Sequence, residues 1–402
     1  MPVSTEFPNS ISAVTQAPQT AAAAASDLCI IYDGTISLGV ACILTAAGHN
    51  VRLWAVKETA KSLATFIERL PSEFEMRERG ASVSTYRGKA AITVVSHDSQ
   101  IALKGSDGVI IAQPVTEYGA VADKLAPILT NGQTICLVNA PLGAALQFRQ
   151  LMRRRNKDLQ LNIIEVGNLF DCAQIEGDVL LIRGQREKVS FCGNTRNETR
   201  RGLSIANTIS QGLVPTSNVI ERGLSEVEKM LRPVFLLFAL LGGRADELDN
   251  IGNLVNPSLT KLIASLDREM QTLAKVYHVV IPTFLETLTH LGGVGWEDAD
   301  TLGQALINIA GNLIDQGLAD RSSANASPQT AAAELLKADV LETYTLLSDF
   351  ARLSRTHLPV LNSIIELSSV VTKADLEKNG RKLSDLGLLG FDVQEIVELI
   401  NA

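Results

Sequence analysis

From Asp27 to about Asn194, short β-rich runs alternate with helical patterns: LCIIY, VRLW, AITVVS, GVIIAQPV, TICLVNA, LNIIEV, VLLIRG and KVSFCG. A strand can return parallel to its neighbour only through a crossover, and helices serve as crossovers, so this alternation predicts a mostly parallel sheet covered by helices. The first unit is the most explicit. LCIIY enters the turn of IIYDGTISLG, the apolar pattern LGVACILTAAG follows, Gly48-His49 stops it, and Val51–Trp54 begins the next strand. That is a βαβ unit.

A dinucleotide-binding turn places three glycines in the pattern G-x-G-x-x-G: one for the tight turn, one for close approach of a pyrophosphate, one for helix–strand packing. Counting back from Gly48-His49 sets those places on Tyr32, Gly34 and Ser37. Only the phosphate-approach glycine is kept. Thr35, Ile36 and Ser37 would still present backbone N–H groups and a hydroxyl at a helix N-terminus, a setting that favours anions. Two readings stay open here, a working cofactor turn and a Rossmann-like sheet that no longer binds one. VRLWAVK lacks the acidic residue that takes the ribose hydroxyls of NAD and offers Lys57 to a 2′-phosphate, which puts NADP ahead of NAD.

Beyond Val214 the strand patterns stop and helical ones take over, among them SEVEKMLRPVFLLFALLGG, SLTKLIASLDREMQTLAKVY and TAAAELLKADVLETYTLLSDFARLS. The expected organisation is a disordered extension over 1–26, a Rossmann-like α/β dinucleotide-binding domain over 27–214, and an all-α substrate and dimerisation domain over 215–402. GGVGWEDAD and ADRSSANASPQ carry the Gly, Ser and Asn clusters of loops.

At 402 residues the chain is long enough for two cores, and with 4% aromatic residues those cores must be built from Leu, Ile, Val and Ala. A net charge of −8 lacks the basic footprint of a nucleic-acid binder. The cluster Arg153-Arg154-Arg155 reads as a solvated helix end. Apolar runs fall short of the ~18 residues of a membrane span, and PVFLLFALLGG reads as a buried helix. Five cysteines without CxxC spacing fit a reducing, cytoplasmic setting and no zinc site. The aliphatic helices permit a homodimer.

From about residue 27 onward the chain resembles the octopine/nopaline (opine) dehydrogenases. The resemblance rests on AAGHNVRLW, on SDGVIIAQPV with Pro114, on NAPLGAALQF with Gly143 in a second glycine loop, and on the order NVIERGLSEVEKMLRP, GGR, NPSLTKLIASLDRE, KADVLETYTLLSDFARL and GRKLSDLGLLG. It implies an oxidoreductase that uses NAD(P)H to join an amino acid or amine to a 2-oxo acid, acting on a small carboxylate-bearing substrate. The family's catalytic pair is a histidine in a motif like LHP and an aspartate in one like EDVP. Here those motifs fall on Arg232, in Leu231-Arg232-Pro233, and on Asp339.

Arginine stays protonated and cannot shuttle a proton as a histidine does. Arg232 could anchor a carboxylate or pair with Asp339 in a buried salt bridge, and the sequence leaves both open. His278, His290 and His357 sit where helix capping or solvent explains them, and Asp171, beside Cys172, reads as a loop aspartate capping backbone N–H groups. A catalytically inactive relative that acts as a binding or scaffold protein is the second reading. A ketopantoate or 2-hydroxy-acid type of dehydrogenase is the third, and it would need a cleft lysine, for which Lys261, Lys275 and Lys337 are available.

Overall fold

The computed structural model describes residues 25–77, 86–186, 188–210, 212–291, 301–307 and 327–402. The first 24 residues of the expected extension, the GGVGWEDAD segment and most of ADRSSANASPQ lie outside the described residues. Among the described residues twelve strands run in chain order as β1 Asp27–Ile31, β2 Asn50–Trp54, β3 Glu73–Arg77, β4 Tyr86–Lys89, β5 Ile92–Ser96, β6 Gly108–Ile111, β7 Thr134–Leu137, β8 Asn162–Val166, β9 Cys172–Glu176, β10 Val179–Arg183, β11 Val189–Gly193 and β12 Leu213–Pro215.

Eight of them form one sheet in the order β12-β11-β8-β7-β6-β1-β2-β5. The six from β8 to β5 are mutually parallel, and β11 joins β8 antiparallel. Strand β1 shows why its run is apolar throughout: Leu28 and Ile30 enter the core on one face of the sheet, Cys29 and Ile31 the core on the other. The chain leaves β1 for β2 on one side and returns to β6 on the other, which makes the β1/β6 boundary the point where strand order reverses. A crevice opens beyond the carboxyl ends of strands at such a point.

The sequence patterns did not anticipate a second sheet, β4-β3-β10-β9. Its strands EFEMR, YRGK and CAQIE are short and carry charged or exposed residues, so they lack the apolar density of the main sheet. The first helix, Thr35–Ala46, lies close to the segment leading into β9: a Cβ on Gly39 would come 2.6 Å from the Phe170 ring.

After β12 the described chain is helical, so the protein has an α/β Rossmann-like region followed by an all-helical one. Val227–Leu241 is the buried helix expected of PVFLLFALLGG, with Leu231, Val234, Phe235, Leu236 and Leu237 fully enclosed. No helix among the described residues is long and apolar enough to cross a membrane. Asn256 caps the helix Pro257–Val276 by accepting from the Ser258 and Leu259 N–H groups, as the sequence Asn-Pro at a helix start suggests. The helix that begins at Pro328 passes through a π-helical turn, Val340–Tyr344, before continuing to Leu353.

Candidate functional site

A cleft of about 390 Å³ opens where the carboxyl ends of β1 and β6 face the helical region. From the sheet it is lined by Asp33, Gly34, Ile36, Ser37, Lys57, Gln113, Pro114 and Asn139, and from the helices by Glu228, Lys229, Arg232 and Glu342. Size and mixed lining are those of a small-molecule site.

Gly34 caps the helix Thr35–Ala46 at φ +133°, a conformation open essentially to glycine, and a Cβ built on it would meet nothing within 4 Å. Space therefore stands beside this backbone, at a helix N-terminus with no side-chain cap and no acidic residue in its first turn. Both properties suit a phosphate group. Ser37 works within the turn: its hydroxyl donates to Gly34 O at 2.7 Å and accepts from Asp33 N at 3.1 Å. A serine at the third glycine position thus pins the turn in place of close packing, while the packing function falls to Gly39.

Tyr32 does not block the cleft. Its ring sits edge-on to Phe66, with centroids 4.8 Å apart, and Tyr32 is not among the described lining residues. Lys57 hydrogen-bonds Asp33 at the cleft rim and is 61% exposed, so its charge is present where the sequence placed it, already countered by a carboxylate. That bond with Asp33 raises its pKa above the ordinary lysine value. Gln113, just beyond β6, lines the crevice and is buried, its side-chain oxygen without a hydrogen-bond partner among the described residues. Taken together, an open phosphate-approach glycine, an uncapped helix end and an orphaned acceptor fit a dinucleotide.

Two expected cofactor contacts are not among the described cleft-lining residues. Thr35 starts the helix without lining the cleft. Gly143 is the left-handed N-cap (φ +67°) of the helix Ala144–Arg155, where a Cβ would come 2.6 Å from Leu386 of the C-terminal segment. The structure gives Gly143 a packing role against the helical region.

Arg232 and Asp339 meet, across 107 residues of chain, in a bidentate pair: Nε donates to Oδ2 at 2.7 Å and Nη2 to Oδ1 at 2.6 Å. Burial pulls the guanidinium down, but Asp339 outweighs it and holds Arg232 above its ordinary value. The Nη1 amine takes no part in this pair, and Arg232 lines the cleft while Asp339 stands behind it. The two roles left open by the sequence are compatible, because Asp339 takes Nε and Nη2 and leaves Nη1 outside the pair.

Other residues of the site escaped the sequence reading. Glu228, Lys229 and Arg232 interrupt an otherwise apolar helix on neighbouring turns, which was the available signal. Lys229 Nζ donates to Asn139 O at 2.8 Å. Burial lowers its pKa below the usual lysine value, against the raising influence of Glu342 and Glu226. Asp171 is 3% exposed, lines the cleft and pairs with Arg186 at 3.5 Å, and Arg186 also bonds Glu228. Cys172 begins β9 as a buried thiol.

Histidine supplies none of the described lining residues. His278 and His357 are exposed, His278 in a left-handed turn (φ +55°) after its helix, and the side chain of His290 lies outside the described residues. Lys261 and Lys275 are exposed and Lys337 reaches Glu334 at 3.8 Å, all outside the cleft lining.

No family model matches the chain. It is 23% identical over 322 residues to an opine dehydrogenase of Arthrobacter sp. (strain 1C), an alignment covering 79% of this chain and 86% of the relative. Among solved structures it resembles octopine dehydrogenase in complex with NADH and agmatine, at 14% identity and TM-score 0.70, over 92% of this chain and 98% of the other. It also resembles yersinopine dehydrogenase with NADP+ bound, at 13% identity and TM-score 0.59, over 93% and 97%. A 2-dehydropantoate 2-reductase from Geobacter metallireducens GS-15 shares the architecture at 13% identity and TM-score 0.57. At these identities the structural likeness speaks for the fold. Joined to the sequence match, it shows a chain similar to the opine dehydrogenases in sequence and fold.

Proposed function

We propose that this protein holds NADPH or NADH in the cleft and reductively joins an amino acid or amine to a 2-oxo acid. The observation that carries the reading is the meeting of Gly34, at an open helix N-terminus beyond β1, with Lys229, Arg232 and Glu342 of the helical region around one crevice. Gly34, Ile36 and Ser37 would hold the pyrophosphate, and Pro114 with Gln113 would border the dinucleotide. The bound cofactor supplies a hydride. Lys57, once exchanged from Asp33, would meet a 2′-phosphate.

Arg232, held by Asp339, binds the 2-oxo acid carboxylate through Nη1, and Glu342 attracts the ammonium of the amino substrate. Residues 27–214 thus serve the dinucleotide and 215–402 the substrate. A homodimer through the helical half is part of this reading, and sedimentation velocity would test it. Five buried thiols without a disulfide support a cytoplasmic setting.

Turnover tests the reading. NADPH or NADH oxidation is followed at 340 nm with pairs of amino acids and 2-oxo acids, beginning with L-arginine and pyruvate, and the products are identified by mass spectrometry. A secondary amine formed from both substrates is the expected result. Reduction of the oxo acid alone would favour a 2-hydroxy-acid enzyme, and no oxidation with any pair would favour the binding-protein reading, which the Arg232–Asp339 pairing supports.

A further inference from the structure

Joining an amine to a 2-oxo acid moves protons before any hydride moves. The amine arrives as an ammonium and must lose a proton to attack the carbonyl; the carbonyl oxygen must gain protons to leave as water. A single titrating group beside the two reactants can serve both needs. Arg232 cannot, because a guanidinium does not deprotonate near neutral pH and this one is fixed by Asp339. Lys57 sits at the exposed rim on Asp33.

Lys229 is placed differently. It stands one turn before Arg232 on the same helix, lines the cleft, and is tethered by a 2.8 Å hydrogen bond to the carbonyl of Asn139, just beyond the carboxyl end of β7. Asn139 itself is left-handed, with φ +55°, so this carbonyl is aimed by an unusual backbone conformation. The charged groups acting on Lys229 are Glu342 and Glu226, which favour its ammonium, and Arg222 and Arg232, which oppose it; burial outweighs them and lowers its pKa. A lysine tuned this way exists in both forms closer to neutral pH than a surface lysine does.

We propose that Lys229 is the proton carrier of the condensation step, an assignment that rests on the functional reading above. The neutral Lys229 amine takes a proton from the substrate ammonium. The freed amine adds its lone pair to the carbonyl carbon, and the carbonyl π pair moves to oxygen. After the nitrogen's proton passes to that oxygen, the Lys229 ammonium protonates the resulting hydroxyl, and water leaves as the nitrogen lone pair forms the C=N bond. One ammonium and one carbonyl become one iminium and one water, with no change of oxidation state, and Lys229 returns to its neutral form.

Two measurements on the full-length protein test this. Competitive acetylation with acetic anhydride between pH 6 and 11, read by mass spectrometry, should show Lys229 becoming reactive at lower pH than the exposed Lys261 and Lys275. In assays with NADPH and the best substrate pair found, Lys229→Met and Lys229→Arg should both lower kcat by ~100-fold or more, with NADPH affinity within ~3-fold of the parent. The arginine variant keeps the charge and the donor to Asn139, so its failure to rescue separates proton transfer from positioning; its retained NADPH binding verifies folding. Lys229 titrating with the surface lysines, or Lys229→Arg turning over within ~3-fold of the parent, overturns the assignment alone. A parent protein that oxidises NADPH with no substrate pair overturns the functional reading and the step with it.

Discussion

Replacing Arg232 by methionine keeps most of the aliphatic stem and removes the charge, so the change isolates the ion pair from simple cavity formation. Asp339 is then left with its side chain 5% exposed and both oxygens stripped of donors that had stood at 2.6 and 2.7 Å. Breaking a buried pair from one side costs about 3–5 kcal/mol, a large fraction of the roughly 5–15 kcal/mol that holds a domain together. Arg232→Met should therefore lower the urea midpoint followed by circular dichroism, with the slope unchanged. The double variant Arg232→Met/Asp339→Leu removes the orphaned charge as well, and should return to within about 1 kcal/mol of the parent, because apolar replacements of buried pairs are close to neutral. A single variant within about 1 kcal/mol of the parent, or a double variant no better than the single, would refute the claim that this pair is a buried structural unit.

Three further outcomes follow from neighbouring features. Lys57→Ala should weaken NADPH binding by roughly tenfold, about 1.4 kcal/mol, and leave NADH nearly unchanged by calorimetry; equal losses for both would remove Lys57 from 2′-phosphate recognition. At Gly184, φ is +67° and a Cβ would come 2.0 Å from an Asp171 carboxylate oxygen, so Gly184→Ala should lower Tm and disturb the Arg186 contacts, whereas unchanged stability would contradict that packing. His49 accepts from the Ser26 N–H and burial lowers its pKa below the ordinary value of 6.5. The unfolded chain therefore takes up this proton first as pH falls, so the His49 contribution is complete above about pH 6.5 and is lost below it. The parent should lose more Tm than His49→Asn between pH 7.5 and 5.5.

The main sheet was legible because its strands are buried on both faces and must be apolar at successive positions, as Leu28 to Ile31 are. The β4-β3-β10-β9 sheet was not, because Glu73, Glu75 and Arg77 share one short strand with Phe74 and carry surface ion pairs instead of core contacts. Gly34 could be found by spacing from Gly48-His49, since a turn and a helix of fixed rise leave little freedom between two strands. Arg232 and Asp339 were found only through motif resemblance; their pairing depends on two helices 107 residues apart in the chain.

Glu342 shows the limit most clearly. It shares the cleft with Arg232 through the π-helical turn Val340–Tyr344, and a local change of helical pitch leaves no compositional mark. Gly143 is ambiguous for another reason: glycine before a helix reads alike whether a phosphate or Leu386 requires the close approach.

A competent dinucleotide site in the crevice beyond β1 and β6, with glycine at only one of the three motif positions, is the central claim. Isothermal titration of the full chain with NADPH and with NADH, run in parallel on Gly34→Val, tests that directly. Saturable one-site binding of at least one of the two at submillimolar concentration is expected, with its loss in the variant, whose valine fills the space beside the turn. Absence of binding by the parent to either dinucleotide at millimolar concentration would contradict it.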